Sequence, residues 1–390
     1  MKKKILFVSH DASRTGAPLV LKHLMHWLKD HADFEFSILI KDGGETDIEK
    51  DFATLAPVYK WAPGTPGSTW PQRAISKLSS RLFDKPIYKS YPRQLRSQNF
   101  DLIYLNTVAS TELLPYLKEQ HNCPVILHVH ENEYSIKTYY PESLTADYLQ
   151  LINHYIVVSE STGSNLAENF GIPAEKISLV NAFVPVKEIK MPGKKAGLVK
   201  SELGIHDDFI VGGCGVTSWR KGVDIFIQLA LLIKKAPHGK KIRFVWIGHL
   251  EYFFKNQLAY ELKRLGLTHD DIIFTGSVTN PQDYFQIFDV FALTSREDPF
   301  PLVCLEAAAL AKPVIYFENA GGVTEMFKKG GGIAVPYGDT QAMANAIISM
   351  QTNTAHLLAL GLQAQNNVQQ YDVDVQAPLI AAVVDKNSRR

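Results

Sequence analysis

A chain of 390 residues, 46% hydrophobic and 21% charged, holds enough apolar material for roughly two ordinary domains, which excludes a disordered or fibrous protein. Lys and Arg number 41 against 40 Asp and Glu, a formal net charge of +1, so the overall balance gives no reason to expect nucleic acid as a general partner. Cys123, Cys214 and Cys304 lie far apart in no paired spacing, which fits reduced buried thiols and excludes a disulfide or zinc framework.

The first element is "ILFVS". Basic residues precede it, but its apolar run is far shorter than the roughly 7–15 residues of an export signal, so it reads as a buried strand. Next comes "APLVLKHLMHWLKD", apolar at three- and four-residue steps, a helix. Strands "FSILI", "LIYLN", "VILHV" and "YIVVS" follow in the first half. The second half offers "IVGGCGV", the helix "GVDIFIQLALLIKK", then "RFVWIG", "IIFTG", "VFALTS" and "PVIYF". Strands alternating with helices imply parallel sheets covered on both faces. Residues 184–205 are rich in Pro, Gly and Lys and read as a linker. The expected domains are 1–184 and 206–370, joined by 185–205, with 371–390 crossing back to brace them. No stretch approaches the roughly 20 apolar residues of a membrane span, so the expectation is a soluble, cytoplasmic protein.

Ligands of open α/β sheets bind beyond the carboxyl ends of the strands. Four polar clusters fall there: "SHDASRTGAP", "HVHENEY", "GVTSWRKG" and "TSREDPFP". In "SREDPFPLVCLEA", Pro301 suits the first position of a helix. The unpaired amides of Leu302 and Val303 then offer a place for a phosphate. Glu306 lies about one and a half turns further on, able to accept hydrogen bonds from two adjacent hydroxyls, and Asp298 precedes the turn. On this motif alone, a helix cap and a surface acid explain Asp298 and Glu306 equally well. Arg220 and Lys221, after a glycine-containing strand end, add two cations suited to a diphosphate, although an isolated pair of this kind is more often solvated loop charge.

The ordered set "TGAP", "HVHE", "VVSES", "LVNAFV", "GVTSWRKGVD", "FTGSV", "REDPFPLVCLEAAALAKPVI" and "AGGVTEM" resembles family 4 of the retaining glycosyltransferases. The resemblance implies the GT-B fold, an α/β architecture of two facing Rossmann-like domains with an interdomain cleft. It implies a C-terminal domain that binds a nucleotide-sugar and an N-terminal domain that receives the acceptor. Glu306 would hold the donor ribose. Asp298 would contact the donor sugar, with Phe300, Pro301, Leu302 and Val303 lining the sugar and phosphate site. Arg220 and Lys221 would hold the diphosphate. Gly16 would let its loop approach the phosphates, His130 would sit against the donor sugar, and backbone around Val278 would meet the base. Three positions depart from the family pattern: Asp298 for glutamate, Pro301 for glycine, and Val216 for a phosphate-binding arginine.

The resulting expectation is a retaining glycosyltransferase that moves a sugar from a nucleotide-sugar to a hydroxyl of a glycan or glycolipid acceptor, in surface polysaccharide or glycolipid assembly. It needs no cofactor and no metal. The rival readings are a non-catalytic nucleotide-sugar-binding protein of the same fold and a nucleotide-sugar epimerase. Asp372 and Asp374 match a metal-binding Asp-x-Asp pattern but lie in the C-terminal segment, where a turn or helix cap is expected. His128 shares a strand face with His130, either as a second site histidine or in a structural hydrogen bond. "GGCG" at Gly212 to Gly215 is no dinucleotide fingerprint. From Tyr59 to Phe100, Lys60, Arg73, Lys77, Arg81, Lys85, Lys89, Arg93 and Arg96 are opposed only by Asp84 and interleaved with aromatic residues. That segment reads either as a peripheral contact with the inner face of a membrane or as a solvated helical excursion.

Overall fold

The computed structural model describes residues 2–43, 46–61, 92–237 and 241–389. The chain divides into two compact units, one formed by Met1–Asn181 with Val373–Arg390 and one by Ala182–Asp372.

The first unit is built on seven parallel strands: β1 (Lys3–Ser9), β2 (Phe34–Ile40), β3 (Val58–Lys60), β4 (Leu102–Asn106), β5 (Val125–Val129), β6 (His154–Val157) and β7 (Ile177–Leu179). They lie in the order β3-β2-β1-β4-β5-β6-β7. In the central strands every residue of β4, β5 and β6 is buried, which is why their sequences are continuous apolar runs and not alternating ones. The strand order reverses direction at β1 and β4, where Phe7 lies opposite Tyr104, and this is the topological switch point at which such sheets bind ligands.

The second unit repeats the plan with β8 (Phe209–Cys214), β9 (Ile242–Ile247), β10 (Ile272–Phe274), β11 (Val290–Leu293), β12 (Val314–Phe317) and β13 (Gly332–Val335), in the order β10-β9-β8-β11-β12-β13. Two glycines inside β8 serve packing. A Cβ on Gly212 would lie 2.0 Å from the Phe288 ring, and one on Gly213 would lie 2.7 Å from Trp246.

Four helices position the features below: α1 (Gly16–His31), α2 (Val223–Lys235), α3 (Leu302–Ala309) and α4 (Val373–Asn387). Helix α4 follows the whole second unit yet packs along α1 of the first. The Lys3 ammonium reaches the Asp385 carboxylate at 2.6 Å. The stretch expected as a linker is itself folded: helices Val186–Ile189 and Ala196–Glu202 bury Val186, Ile189 and Val199 within the second unit. The outgoing and returning chain lie side by side there, through a parallel bridge between Val184 and Asp372. The Asp372 carboxylate accepts the Val186 N–H at 3.1 Å, and Asp374 sits in the first turn of α4. The Asp-x-Asp pattern therefore belongs to a helix start.

Residues 62–91 of the basic, aromatic segment lie outside the described residues. Of its flanks, Lys60 pairs with Glu49 at 2.8 Å and Trp61 is buried. Among the described residues no helix is long and apolar enough to cross a membrane.

Candidate active site

In the second unit the site begins where β11 ends. Asp298 is held by its backbone: its N–H donates to the Ala320 carbonyl at 2.7 Å, and its own carbonyl accepts from Gly322 N–H at 3.2 Å. Gly321, at φ +121°, bridges to Asp298, and a Cβ there would lie 2.0 Å from the Asp298 carbonyl oxygen. The "AGG" segment after β12 thus needs glycine to let two loops touch. Pro301 does not take the first helical position. It is the N-cap of α3, with ψ 106°, which places it outside the helix. Leu302 and Val303 are consequently the first two helical residues, and their amides have no partner within the helix. Cys304 N–H already donates to the Pro301 carbonyl at 3.0 Å.

The Arg220 and Lys221 side chains take different partners. Arg220 Nη1 donates to the Glu297 carbonyl at 2.9 Å. The Lys221 ammonium meets Asp298 Oδ2 at 2.6 Å, with the two side chains 16% and 7% exposed. Adjacent strands β8 and β11 carry the two loops, which is what brings residues 77 positions apart together. Burial raises the Cys304 thiol well above its usual value, with the charges of Asp298 and Glu306 adding and Lys221 opposing. Burial raises Cys214 as well, with Glu306 adding and Lys221 opposing. Both thiols therefore report one electrostatic neighbourhood that includes Lys221 and Glu306. Val278 is half-buried in the loop after β10. Phe300 is buried against Tyr371, ring centroids 5.3 Å apart, so its ring is a packing element of the loop. Arg296, in the same loop, pairs with Asp224 at 2.7 Å and lies over the exposed Trp219 ring at 4.8 Å.

In the first unit Gly16 is exposed at the start of α1. His128 and His130, on and just beyond β5, have ring centroids 4.0 Å apart. His128 Nδ1 is 2.7 Å from the Tyr104 hydroxyl, and burial lowers its pKa to about 3. It is a buried core histidine. Burial also holds His130 well below the ordinary imidazole value, with His128 and His10 adding. Its Nε2 lies 3.1 Å from Asn106 Oδ1. Asn106 was not singled out in the sequence. The available signal is its place as the last residue of "LIYLN", a polar side chain at the carboxyl end of a central strand.

Two parallel α/β sheets, with an open helix start and a buried Lys–Asp pair at the strand ends of the second, have the GT-B fold. The chain belongs to family 4 of the glycosyltransferases. Residues 16–188 match the model described as Glycosyltransferase Family 4, and residues 208–353 match the model described as Glycosyl transferases group 1. It is 28% identical over 226 residues to alpha-galactosylglucosyldiacylglycerol synthase of Streptococcus pneumoniae, covering 56% of this chain and 57% of that relative. It is 28% identical over 198 residues to the lipopolysaccharide core biosynthesis mannosyltransferase LpsB of Rhizobium meliloti, covering 49% and 55%. The chain thus spans little more than half the length of these curated relatives. Among solved structures, Anabaena HepE in complex with UDP and glucose superposes with a TM-score of 0.80 at 20% identity, covering 98% of this chain and 99% of that one. Sucrose-phosphate synthase from Thermosynechococcus elongatus gives 0.76 at 17% identity, covering 99% of each.

Proposed function

We propose that this chain is a retaining glycosyltransferase that moves a sugar from a nucleotide-sugar to a hydroxyl of a glycan or lipid-linked acceptor, in surface polysaccharide or glycolipid assembly. The observation that carries the reading is the buried Lys221–Asp298 pair at the start of α3, with Glu306 in the same electrostatic neighbourhood. Supporting it are the names of the relatives, which include a glycolipid synthase and a capsular polysaccharide glycosyltransferase. These favour transfer over mere binding or epimerisation.

In this reading the diphosphate rests on the Leu302 and Val303 amides, with Lys221 and Arg220 beside it, and Glu306 holds the ribose. The acceptor oxygen attacks the anomeric carbon from the face the nucleotide leaves. The bond from carbon to phosphate oxygen breaks, the new glycosidic bond forms, and the acceptor proton passes to a phosphate oxygen. The two cations and the helix amides stabilise the departing charge, so the step calls on no metal. The enzyme works in the cytoplasm, and a lipid-linked acceptor would bring it to the inner face of the membrane.

Thermal stability against UDP, GDP, ADP and CMP, free and as sugar conjugates, with EDTA present, tests the reading. A ligand at about a hundred times its dissociation constant adds about 2.7 kcal/mol to folded stability. UDP is the first to try, since HepE was crystallised with it. One nucleotide family is expected to shift the transition, and Glu306→Ala is expected to abolish the shift. No shift with any of the four in a folded sample, or a full shift in Glu306→Ala, would sink the assignment.

A further inference from the structure

We infer that Asn106 is a positioning residue that fixes His130 in the Nε2–H tautomer, leaving His130 Nδ1 as a bare acceptor for a sugar hydroxyl. The identity of that hydroxyl rests on the transferase reading; the tautomer does not.

The argument starts from what each atom is able to do. Asn106 is fully buried at the end of β4, paired in register with His128 of β5. One end of its amide lies 3.1 Å from the Ala17 carbonyl oxygen, in the first turn of α1. A carbonyl only accepts, so that end of the amide is the NH2 group. The other end is therefore Oδ1, and it lies 3.1 Å from His130 Nε2. Oδ1 also only accepts, so His130 Nε2 carries the proton. A neutral imidazole holds one ring proton, which leaves Nδ1 bare.

Burial keeps the ring neutral, with His128 and His10 adding. Glu131 Oε2 is engaged by the backbone N–H groups of His130 at 2.9 Å and Val108 at 3.2 Å. His128 offers the ring no competing hydrogen bond, since its Nδ1 faces Tyr104 and its Nε2 is buried without a partner.

The frame is also strained in a way that holds Asn106 in place. Thr107, the next residue, is buried at φ 80° and ψ 152°, a conformation favouring glycine. Its N–H is tied to the His128 carbonyl at 2.9 Å, and the Asn106 carbonyl accepts from Ser110 Oγ at 3.0 Å. A strained, buried residue at the switch point of the sheet marks a site where geometry is over-determined. The same amide joins His130 to the helix start beside Gly16, so one side chain aligns the loop after β1 and the histidine after β5.

The test is the ring 15N spectrum of histidine-labelled, full-length protein, with His130 assigned through the backbone, together with steady-state kinetics of Asn106→Leu. The wild type is expected to show the proton on Nε2 between about pH 6 and 8. Asn106→Leu is expected to show both tautomers and to lose about tenfold in kcat/KM for the nucleotide-sugar, the loss of one good hydrogen bond. Stabilisation of that variant by the free nucleotide, which lacks the sugar hydroxyl, stays unchanged. An Nδ1–H ring or an imidazolium in the wild type overturns the inference, as does Asn106→Leu with unaltered tautomer and kcat/KM. Should the wild type turn over no nucleotide-sugar, the transferase reading fails while the spectrum still decides the tautomer.

Discussion

Lys221 and Asp298 put a full ion pair where solvent hardly reaches, at 16% and 7% side-chain exposure. Such a pair gains little over an apolar replacement, because both ions lose their hydration, but removing one partner strands the other. Its presence is better explained by chemistry than by stability: a lysine held by one carboxylate oxygen is ready to meet a phosphate without first being ordered. Lys221→Met should therefore destabilise the protein by about 3 kcal/mol, since Asp298 keeps an uncompensated charge. Adding Asp298→Asn should return much of that stability while donor turnover stays lost. Urea denaturation of both single variants and the double variant, with turnover measured alongside, decides it. A double variant no more stable than Lys221→Met alone, or one that still turns over donor, would show that the pair is not coupled in this way. The sequence displays half of this arrangement. Asp298, Glu306 and the start of α3 between them are close in the chain, so a motif of a few residues reveals them. That Lys221 turns to Asp298 while Arg220 turns to a backbone carbonyl depends on β8 lying beside β11, which no local pattern encodes. Asn106 is hidden for the same reason, because its two partners come from α1 and the end of β5.

At the scale of elements, ten strands are legible as apolar runs because they are buried from both faces. β3, β7 and β13 are not: all three lie at a sheet edge, and among their residues only Val335 is buried. A strand that buries almost nothing carries no apolar run to read, whereas β10, as short and also at an edge, buries Ile272 and Ile273. Loop contacts are the other element-level feature that depends on the fold, and Gly321 is the sharpest case. Its φ of +121° and its approach to the Asp298 carbonyl both exclude a side chain. Gly338 has φ +78° but nothing within 4 Å of a Cβ, so it isolates the conformational cost alone. Gly338→Ala should cost about 1 kcal/mol. Gly321→Ala should cost clearly more, about 3 kcal/mol or above, because the loop carrying Asp298 must move as well. The same variant should weaken donor binding, whereas Gly338→Ala should not. Equal losses of stability in the two variants would mean that the contact between the loops contributes nothing.

For the whole molecule, the order of the chain and the order of the fold disagree. The first unit is interrupted after Asn181 and completed by α4, nearly two hundred residues later, once the second unit has been made. Helix α4 buries Ala377, Ile380 and Val384, spaced to lie on one face, and its end adds a hydrogen bond from Arg389 N–H to the Asp101 carbonyl at 3.1 Å. Burying Ile380 and Val384 contributes about 1.5–3 kcal/mol each, a large share of the 5–15 kcal/mol that separates a folded domain from its unfolded chain. A chain ending at Asp372 should therefore keep its second sheet and lose the first unit's stability. Amide hydrogen exchange reads this directly. Protection in β1 and α1, which α4 and its Lys3–Asp385 contact hold, should collapse, while protection in β8, β9 and β11 persists. A peptide of residues 373–390 added in trans should restore protection in β1 and α1. If those segments stay as protected without α4 as with it, the last helix is a covering and not a structural member of the first unit. If protection falls equally in both sheets, the two units unfold as one, and the division into separately stable bodies is wrong.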